Sequence, residues 1–279
     1  MDIQSKHLIS IILPTYNGAQ YISRAIASVI AQSYQQWELI VVDDGSSDDT
    51  ANIVQGFLSD QRIIYSKNER NLGIQKTLNK GLSISKGVYI ARIDDDDVWS
   101  DTEKLQKQIE FFITHPDHVL VGTGVVIVDE NDKELIRYLL PSDDLSIRSK
   151  ILGKNCFVHS SVMFKKETAV HVGGYDESVS VLHMEDYDLW LKLGMHGKLA
   201  NLPFYAVRFT LRDGGLSSKN KLHQARKAFF LARKYNHTYP GYFFAVIRSA
   251  VRFIVYGFIL QFPVKIFVNR LAKWYKENW

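Results

Sequence analysis

The 279-residue chain is 46% hydrophobic and 23% charged, with 17 glycines, 6 prolines and one cysteine. That composition excludes a disordered, solenoid or disulfide-stapled protein and suits one large domain or a domain with an appendage; the lone Cys156 fits a reducing compartment. The net charge of +4 conceals a segregation, because residues 219–279 carry twelve Lys/Arg against Glu277 alone (+11) and the preceding residues carry 22 against 29 (−7), which implies two surfaces with different tasks.

The apolar run Leu8–Leu13 is shorter than a signal-peptide core and is followed by Pro14, so it predicts a buried strand. Ala19–Gln32 places Ile22, Ile26, Val29 and Ile30 on one helix face. Glu38–Val42 predicts a second strand ending in Asp43-Asp44-Gly45-Ser46, and Asp48 or Asp49 caps a helix running through Leu58. A strand over Arg62–Ser66, a helix over Gly73–Lys86 and a strand over Val88–Ile93 follow. Strands separated by such helices indicate an α/β fold with a mainly parallel sheet flanked by helices. Ligands of these sheets sit beyond the carboxyl ends of the strands. Pro14-Thr15-Tyr16-Asn17, Asp43-Asp44 and Asp94–Asp97 are therefore expected to open onto one crevice. The second half is less regular. It predicts strands over Val119–Val128, Ser161–Lys165 and Asn201–Thr210, a turn at Gly173-Gly174, and a helix over Glu185–Leu193. Asp213-Gly214-Gly215 ends the compact body, and from Lys221 the pattern is helical and increasingly aromatic.

Asp94–Asp97, directly after an apolar strand, is the strongest chemical signal. Four adjacent carboxylates repel one another unless a cation neutralises them or some take up protons. Hard oxygen ligands at alternating positions suit Mg²⁺ or Mn²⁺ together with a substrate's phosphates. A solvated acidic loop is the bland alternative, but apolar residues anchor the run on both sides. Asp43 and Asp44 read equally as turn formers or as acceptors for a base or ribose. Tyr16, at the end of the first strand, reads either as a ring that stacks on a base or as partly buried packing. Asn71-Leu72-Gly73 opens the helix that carries Lys76, a place that can receive phosphate. No Walker sequence and no G-x-G-x-x-G occurs, which argues against nucleotide hydrolases and dinucleotide dehydrogenases. Glu185, Asp186 and Asp188 start a helix, where the dipole favours them. Asp186 shares a face with Trp190, whereas Asp188 is rotated away and expected to be exposed. Asp186 or Glu185 is then a candidate general base.

The ordered set of these segments resembles the family 2 inverting glycosyltransferases, which have the GT-A fold. The matching pieces are Ser10–Asn17, Val41–Ser46, Asn71–Gly73, Ile93–Asp97 with Trp99, Gly173–Asp176 and Glu185–Trp190, and they span about residues 8–215. The resemblance implies that Tyr16 and Asp43 or Asp44 contact the donor's base and Asp95 its ribose or sugar. It implies that Pro14, Thr15, Asn17, Asn71, Gly73 and Lys76 line the same donor site. Asp94 and Asp96 fall at the D-x-D metal positions for Mn²⁺ or Mg²⁺, and Asp186 at the position of the catalytic base. The implied reaction moves a single sugar from a UDP- or dTDP-sugar to a hydroxyl of a lipid-linked saccharide in cell-envelope polysaccharide synthesis. A processive polymerase is disfavoured, since His223-Gln224-Ala225-Arg226 is not a Gln-x-x-Arg-Trp motif. A nucleotidyltransferase is disfavoured as well, because Asn17-Gly18-Ala19 carries no cation. A non-catalytic sugar-nucleotide-binding protein would lack a reason for Asp94–Asp97 and Asp186.

The division expected is a catalytic domain over residues 1–218 and a helical, basic and aromatic extension over residues 219–279. The extension's longest charge-free stretch, Phe253–Val264, is too short to span a bilayer and contains Pro263. Arg248 and Arg252 share a helix face, so the segment reads as an amphipathic element lying on the inner face of the cell membrane. A helix packed on the body or a contact between copies is the alternative. Long apolar runs between the cations suit lipid better than nucleic acid.

Overall fold

The structure, a computed structural model, describes residues 7–211 and 221–258. The first half alternates strand and helix: β1 (Ile9–Thr15), α1 (Ile22–Ile30), β2 (Trp37–Asp43), α2 (Thr50–Gln55), β3 (Ile63–Lys67), α3 (Ile74–Ile84) and β4 (Tyr89–Arg92). β5 (Val98–Trp99), α4 (Lys104–Thr114), β6 (His118–Val128), β7 (Glu134–Tyr138), α5 (Asp144–Ile151), β8 (Met163–Lys165) and α6 (Lys166–His171) follow. The chain continues through α7 (Glu185–Leu193), β9 (Lys198–Thr210), α8 (Lys221–Lys234) and α9 (Tyr242–Phe258).

The strands form one sheet in the order β3-β2-β1-β4-β8-β6-β9-β5, with β7 on the edge of β6. The β3-β2-β1-β4 half is parallel, as the alternation of elements requires, and β8 enters antiparallel to both β4 and β6. Every residue of β1 and β2 is buried. Their side chains nevertheless alternate between two cores. Ile11 and Leu13 pack with α1 residues Ile22, Ile26 and Val29, while Ile12 packs with Leu78 and Leu82 of α3 on the other face. The second helix is shorter than the sequence suggests and ends at Gln55, where tight turns at Phe57 and Leu58 take over. α4, α5 and α6 are additional helices in the less regular half.

The composition changes at about residue 219, but the core continues past it. Leu231, Ala232, Tyr235, Tyr239 and Ala245 are buried in the same apolar cluster as Trp190 and Ile12. α8 thus packs on the body, and α9 turns only one edge inward, at Ala245 and Ser249. Phe243 and Phe244 (70% exposed each), Ile247, Val251 and Ile254 face outward. No helix among the described residues is long and apolar enough to cross a membrane. The Asp213-Gly214-Gly215 turn, Pro263 and the cations from Lys265 onward lie outside the described residues.

Candidate active site

The three expected strand ends meet. Thr15 closes β1 opposite Asp43 of β2, and its carbonyl accepts from the Asp44 amide at 2.8 Å. Its hydroxyl donates to Asp95 Oδ2 at 2.6 Å, joining the end of β1 to the acidic loop after β4. Asn17 adopts a left-handed φ of 53°, so its amide reaches Ser46 Oγ (2.9 Å) and its side-chain oxygen accepts from the Ser47 amide (2.9 Å). Gly18 leaves room for this pair, since a Cβ would lie 2.2 Å from Asp95 Oδ2 and 2.4 Å from Thr15 Oγ1 and would have to displace them. Pro14 is buried beneath this junction, and Tyr16 stands on its rim, 51% exposed.

Asp43 and Asp44 are both buried and do different work. Asp43 accepts from the Ser46 amide (2.7 Å) and the Tyr65 hydroxyl (2.5 Å), with Lys67 Nζ 3.8 Å away. Asp44 accepts from Asn68 Nδ2 and the Leu72 amide (2.8 Å each) and from the Gly73 amide (2.9 Å). It therefore fixes the Asn71–Gly73 loop over the end of β2. Asn71 and Lys76 are exposed on this loop and on the first turn of α3, and Gly73 has the positive φ (91°) that lets the loop enter the helix.

The four aspartates divide their roles. Asp94 pairs through Oδ1 with the fully buried Arg92 at 2.5 Å, and its Oδ2 keeps a longer 3.3 Å contact with Ser160 Oγ. Burial opposes its charge, but Arg92 outweighs that and holds its carboxyl below the usual range. Asp97 is a fastener, accepting from Ser160 Oγ (2.5 Å) and the Thr210 amide (3.0 Å). Burial, then the charges of Asp96 and Asp94, push its carboxyl well up. Asp96 is partly exposed, and its carbonyl accepts from Thr210 Oγ1 at 2.5 Å. Among the described residues no three His, Cys, Asp or Glu side chains form a ready-made metal cage. Mg²⁺ is ordinarily held by one or two carboxylates, with water and substrate phosphate completing the shell. Asp96 is partly exposed and Asp94 Oδ2 carries only the long Ser160 contact, so the donor chemistry of these two carboxylates is compatible with such an ion.

A polar bridge runs from the acidic loop to α7, where the His159 ring packs against Trp190 at 5.7 Å. Arg92 Nε donates to His159 Nε2 (3.1 Å), and Tyr175 Oη lies 3.1 Å from the same nitrogen. Burial, then Arg92, push the His159 imidazole down to about 3, so the ring is neutral. Beyond it, Asp186 accepts from Asn155 Nδ2 at 3.0 Å. Its carboxyl is pushed up to about 6 by burial, with Asp94's charge adding to the effect. Glu185 is buried, raised to about 7 by burial and by Asp186, and its Oε2 has no hydrogen-bond partner. Asp188 corrects the sequence reading: instead of being exposed it is fully buried, bound to Lys234 and Tyr235 of the tail and paired with Lys192. Arg92, Ser160 and Asn155 contact the candidate acids and were not singled out by sequence reasoning. Arg92 left one signal, a cation inside an apolar strand just before the acids. A separate cavity of about 650 Å³, lined by Asp117, Arg148, Met195 and Lys198, lies at the opposite end of the sheet. Its cations are already engaged, Arg148 by Asp144 and two carbonyls and Lys198 by Asp117.

The family model described as glycosyl transferase family 2 matches residues 10–170. The chain is 32% identical over 223 residues to the Escherichia coli UDP-Glc:alpha-D-GlcNAc-diphosphoundecaprenol beta-1,3-glucosyltransferase WfgD, covering 79% of this chain and 83% of that protein. Among solved structures it resembles S. aureus TarS 1-349 in complex with UDP-GlcNAc, with a TM-score of 0.72 and 20% identity over 92% of this chain and 76% of that one. It also resembles the mannosyltransferase PcManGT from Pyrobaculum calidifontis in complex with GDP-Man and Mn²⁺, with a TM-score of 0.64 and 17% identity over 95% and 79%.

Proposed function

The chain belongs to glycosyl transferase family 2 and has the GT-A fold, and on that premise we propose an inverting, metal-assisted transfer of one sugar from a UDP- or dTDP-sugar to a hydroxyl of a lipid-linked saccharide. The observation that supports this reading is a continuous side-chain path from the acidic loop to α7: Arg92 pairs with Asp94 and donates to His159, whose ring packs against Trp190, one turn after Asp186. Tyr16 offers an exposed ring for the base, Asp95 and Thr15 a polar floor for the ribose, and Lys76 a cation for phosphate. A divalent ion held by Asp96 and Asp94 would stabilise negative charge on the departing diphosphate. Asp186 receives the acceptor's hydroxyl proton, and Asn155 orients its carboxylate for that purpose. A single displacement with the base opposite the leaving group inverts the anomeric carbon. The pathway is surface-polysaccharide synthesis at the inner face of the cell membrane, with the extension beyond residue 219 as the docking part; the outward apolar face of α9 and its arginines support this.

Nucleotide sugars should be screened by thermal shift with Mn²⁺, with Mg²⁺ and with chelator. A UDP- or dTDP-sugar at a hundredfold excess over its Kd is expected to stabilise the protein by about 2.7 kcal/mol, several degrees in Tm, only when the cation is present. Turnover is expected to release the nucleoside diphosphate. Pyrophosphate release, or binding indifferent to cation, would contradict the assignment. Gly18→Ala provides a local check. Its methyl group displaces the Thr15–Asp95 hydrogen bond, so the KM for the donor is expected to rise by about tenfold, the worth of one charge-assisted hydrogen bond. An unchanged donor KM would remove Asp95 from the donor site.

A further inference from the structure

The turn that carries Asn155 also carries Lys154, and Lys150 stands on the last turn of α5 just before it. α9 lies against this turn: a Cβ on Gly153 would meet the Cα of Ala245 at 3.5 Å and Cδ of Arg248 at 3.7 Å. Arg248 and Arg252, one helical turn apart, thereby join Lys150 and Lys154 in one cationic patch. Burial holds the Lys154 ammonium below its usual value, and Arg248, Arg252 and Lys150 depress it further. The patch adjoins the reaction crevice. Asn155, next to Lys154, donates to Asp186 Oδ2 at 3.0 Å, and the Tyr187 hydroxyl donates to the Ile151 carbonyl at the end of α5. Among the described residues Lys150, Lys154 and Arg252 have no carboxylate partner. Lys150, Lys154 and Arg252, brought together in this way, repel one another unless an anion lies among them. The outward apolar stripe of α9 runs along the same helix, so a ligand that carries an anion next to a hydrocarbon chain would satisfy both features.

We propose that Lys150, Lys154 and Arg252 bind the phosphate or diphosphate of the lipid-linked acceptor and hold it beside Asp186. The assignment rests on Asp186 being the base, and it gives the turn after α5 a substrate-binding task separate from the donor site. Anionic headgroups of the leaflet share the chemistry, but they have no reason to be gathered next to the base. The apolar chain would lie along Phe244, Ile247 and Val251 while the attached saccharide enters the crevice.

The test uses the full-length chain and decyl diphosphate, titrated below its micelle concentration with saturating UDP and Mn²⁺ present. The probe is expected to bind despite the UDP and to bind more tightly than decyl maltoside. Lys154→Gln/Arg252→Gln is expected to weaken it by about tenfold or more, at roughly 1 kcal/mol per lost cation. Lys150→Gln, at an exposed position, should weaken it in the same direction without any change in Tm. UDP affinity should be unchanged in both variants. Displacement of the probe by UDP, or equal binding by wild type and variants, would overturn the proposal. So would variants that lose flotation on phosphatidylglycerol vesicles yet keep their affinity for decyl diphosphate, because the cations would then serve the bulk leaflet. Failure of wild type to bind UDP would count against the donor reading alone, since the probe can also be titrated without it.

Discussion

Asp186→Asn is expected to lower turnover by about 10²–10⁴-fold, the usual worth of a positioned general base, with little change in donor affinity. The asparagine keeps the size of the side chain and its contact with Asn155, so a loss of this magnitude would report the missing proton acceptor and not a collapsed helix. The pH dependence provides a second readout. Burial and Asp94 raise the Asp186 carboxyl to about 6. A base must be deprotonated to act, so turnover is expected to fall as the pH drops through about 6 and to level off above it. The same group has the opposite effect on stability. Its folded-state pKa lies above the unfolded value, so its favourable contribution is present at low pH and lost as the pH rises through about 6. Activity and stability should thus move in opposite directions across that window, and in Asp186→Asn both trends should flatten. Glu185, raised to about 7 and next in sequence, is the natural control. If Glu185→Gln abolished turnover and Asp186→Asn did not, the base would be Glu185.

The parallel half of the fold was legible because its cause is local. Ile11, Ile12 and Leu13 feed two cores by simple alternation, and the helices between the strands allow little besides parallel crossovers. The meeting of the strand ends was legible for the same reason. What the sequence did not contain was how the aspartates divide their work. Asp95 is held by Thr15, 80 residues earlier, and Asp97 by Ser160 and Thr210, 63 and 113 residues later. No window along the chain brings those partners together. α4 was missed for a different reason. Lys104 and Gln108 lie on its buried side and blur the apolar stripe, yet they satisfy each other at 2.8 Å with Lys104 over the Trp99 ring.

Asp188 shows how the same limit leads to a large stability prediction. A helical wheel puts it away from Asp186, and one buried face was assumed for α7. The helix is in fact covered twice, by the body on one side and by α8, some 46 residues further along, on the other. Asp188 Oδ1 accepts from Lys234 Nζ and Tyr235 Oη at 2.8 Å each, and Lys192 Nζ lies 2.9 Å from Oδ2. Asp188→Ala would leave Lys192 without its carboxylate and Lys234 with only the longer 3.4 Å contact to Asp176. Breaking a buried pair costs about 3–5 kcal/mol, and because Lys192 and Lys234 keep some access to water, the lower end, about 3 kcal/mol, is expected. For a protein of this size that is a drop of roughly 6–12 °C in Tm. Asp188→Asn keeps an acceptor for Tyr235 and should lose about half as much. Urea unfolding would measure both, and a cost below about 1 kcal/mol for the alanine would mean that α8 is held by apolar packing alone. Because α7 begins with Glu185 and Asp186, the same lesion should also reduce turnover, and Asp188→Asn should restore part of both losses together. Recovery of stability without activity would separate the clamp on α7 from the chemistry at its first turn.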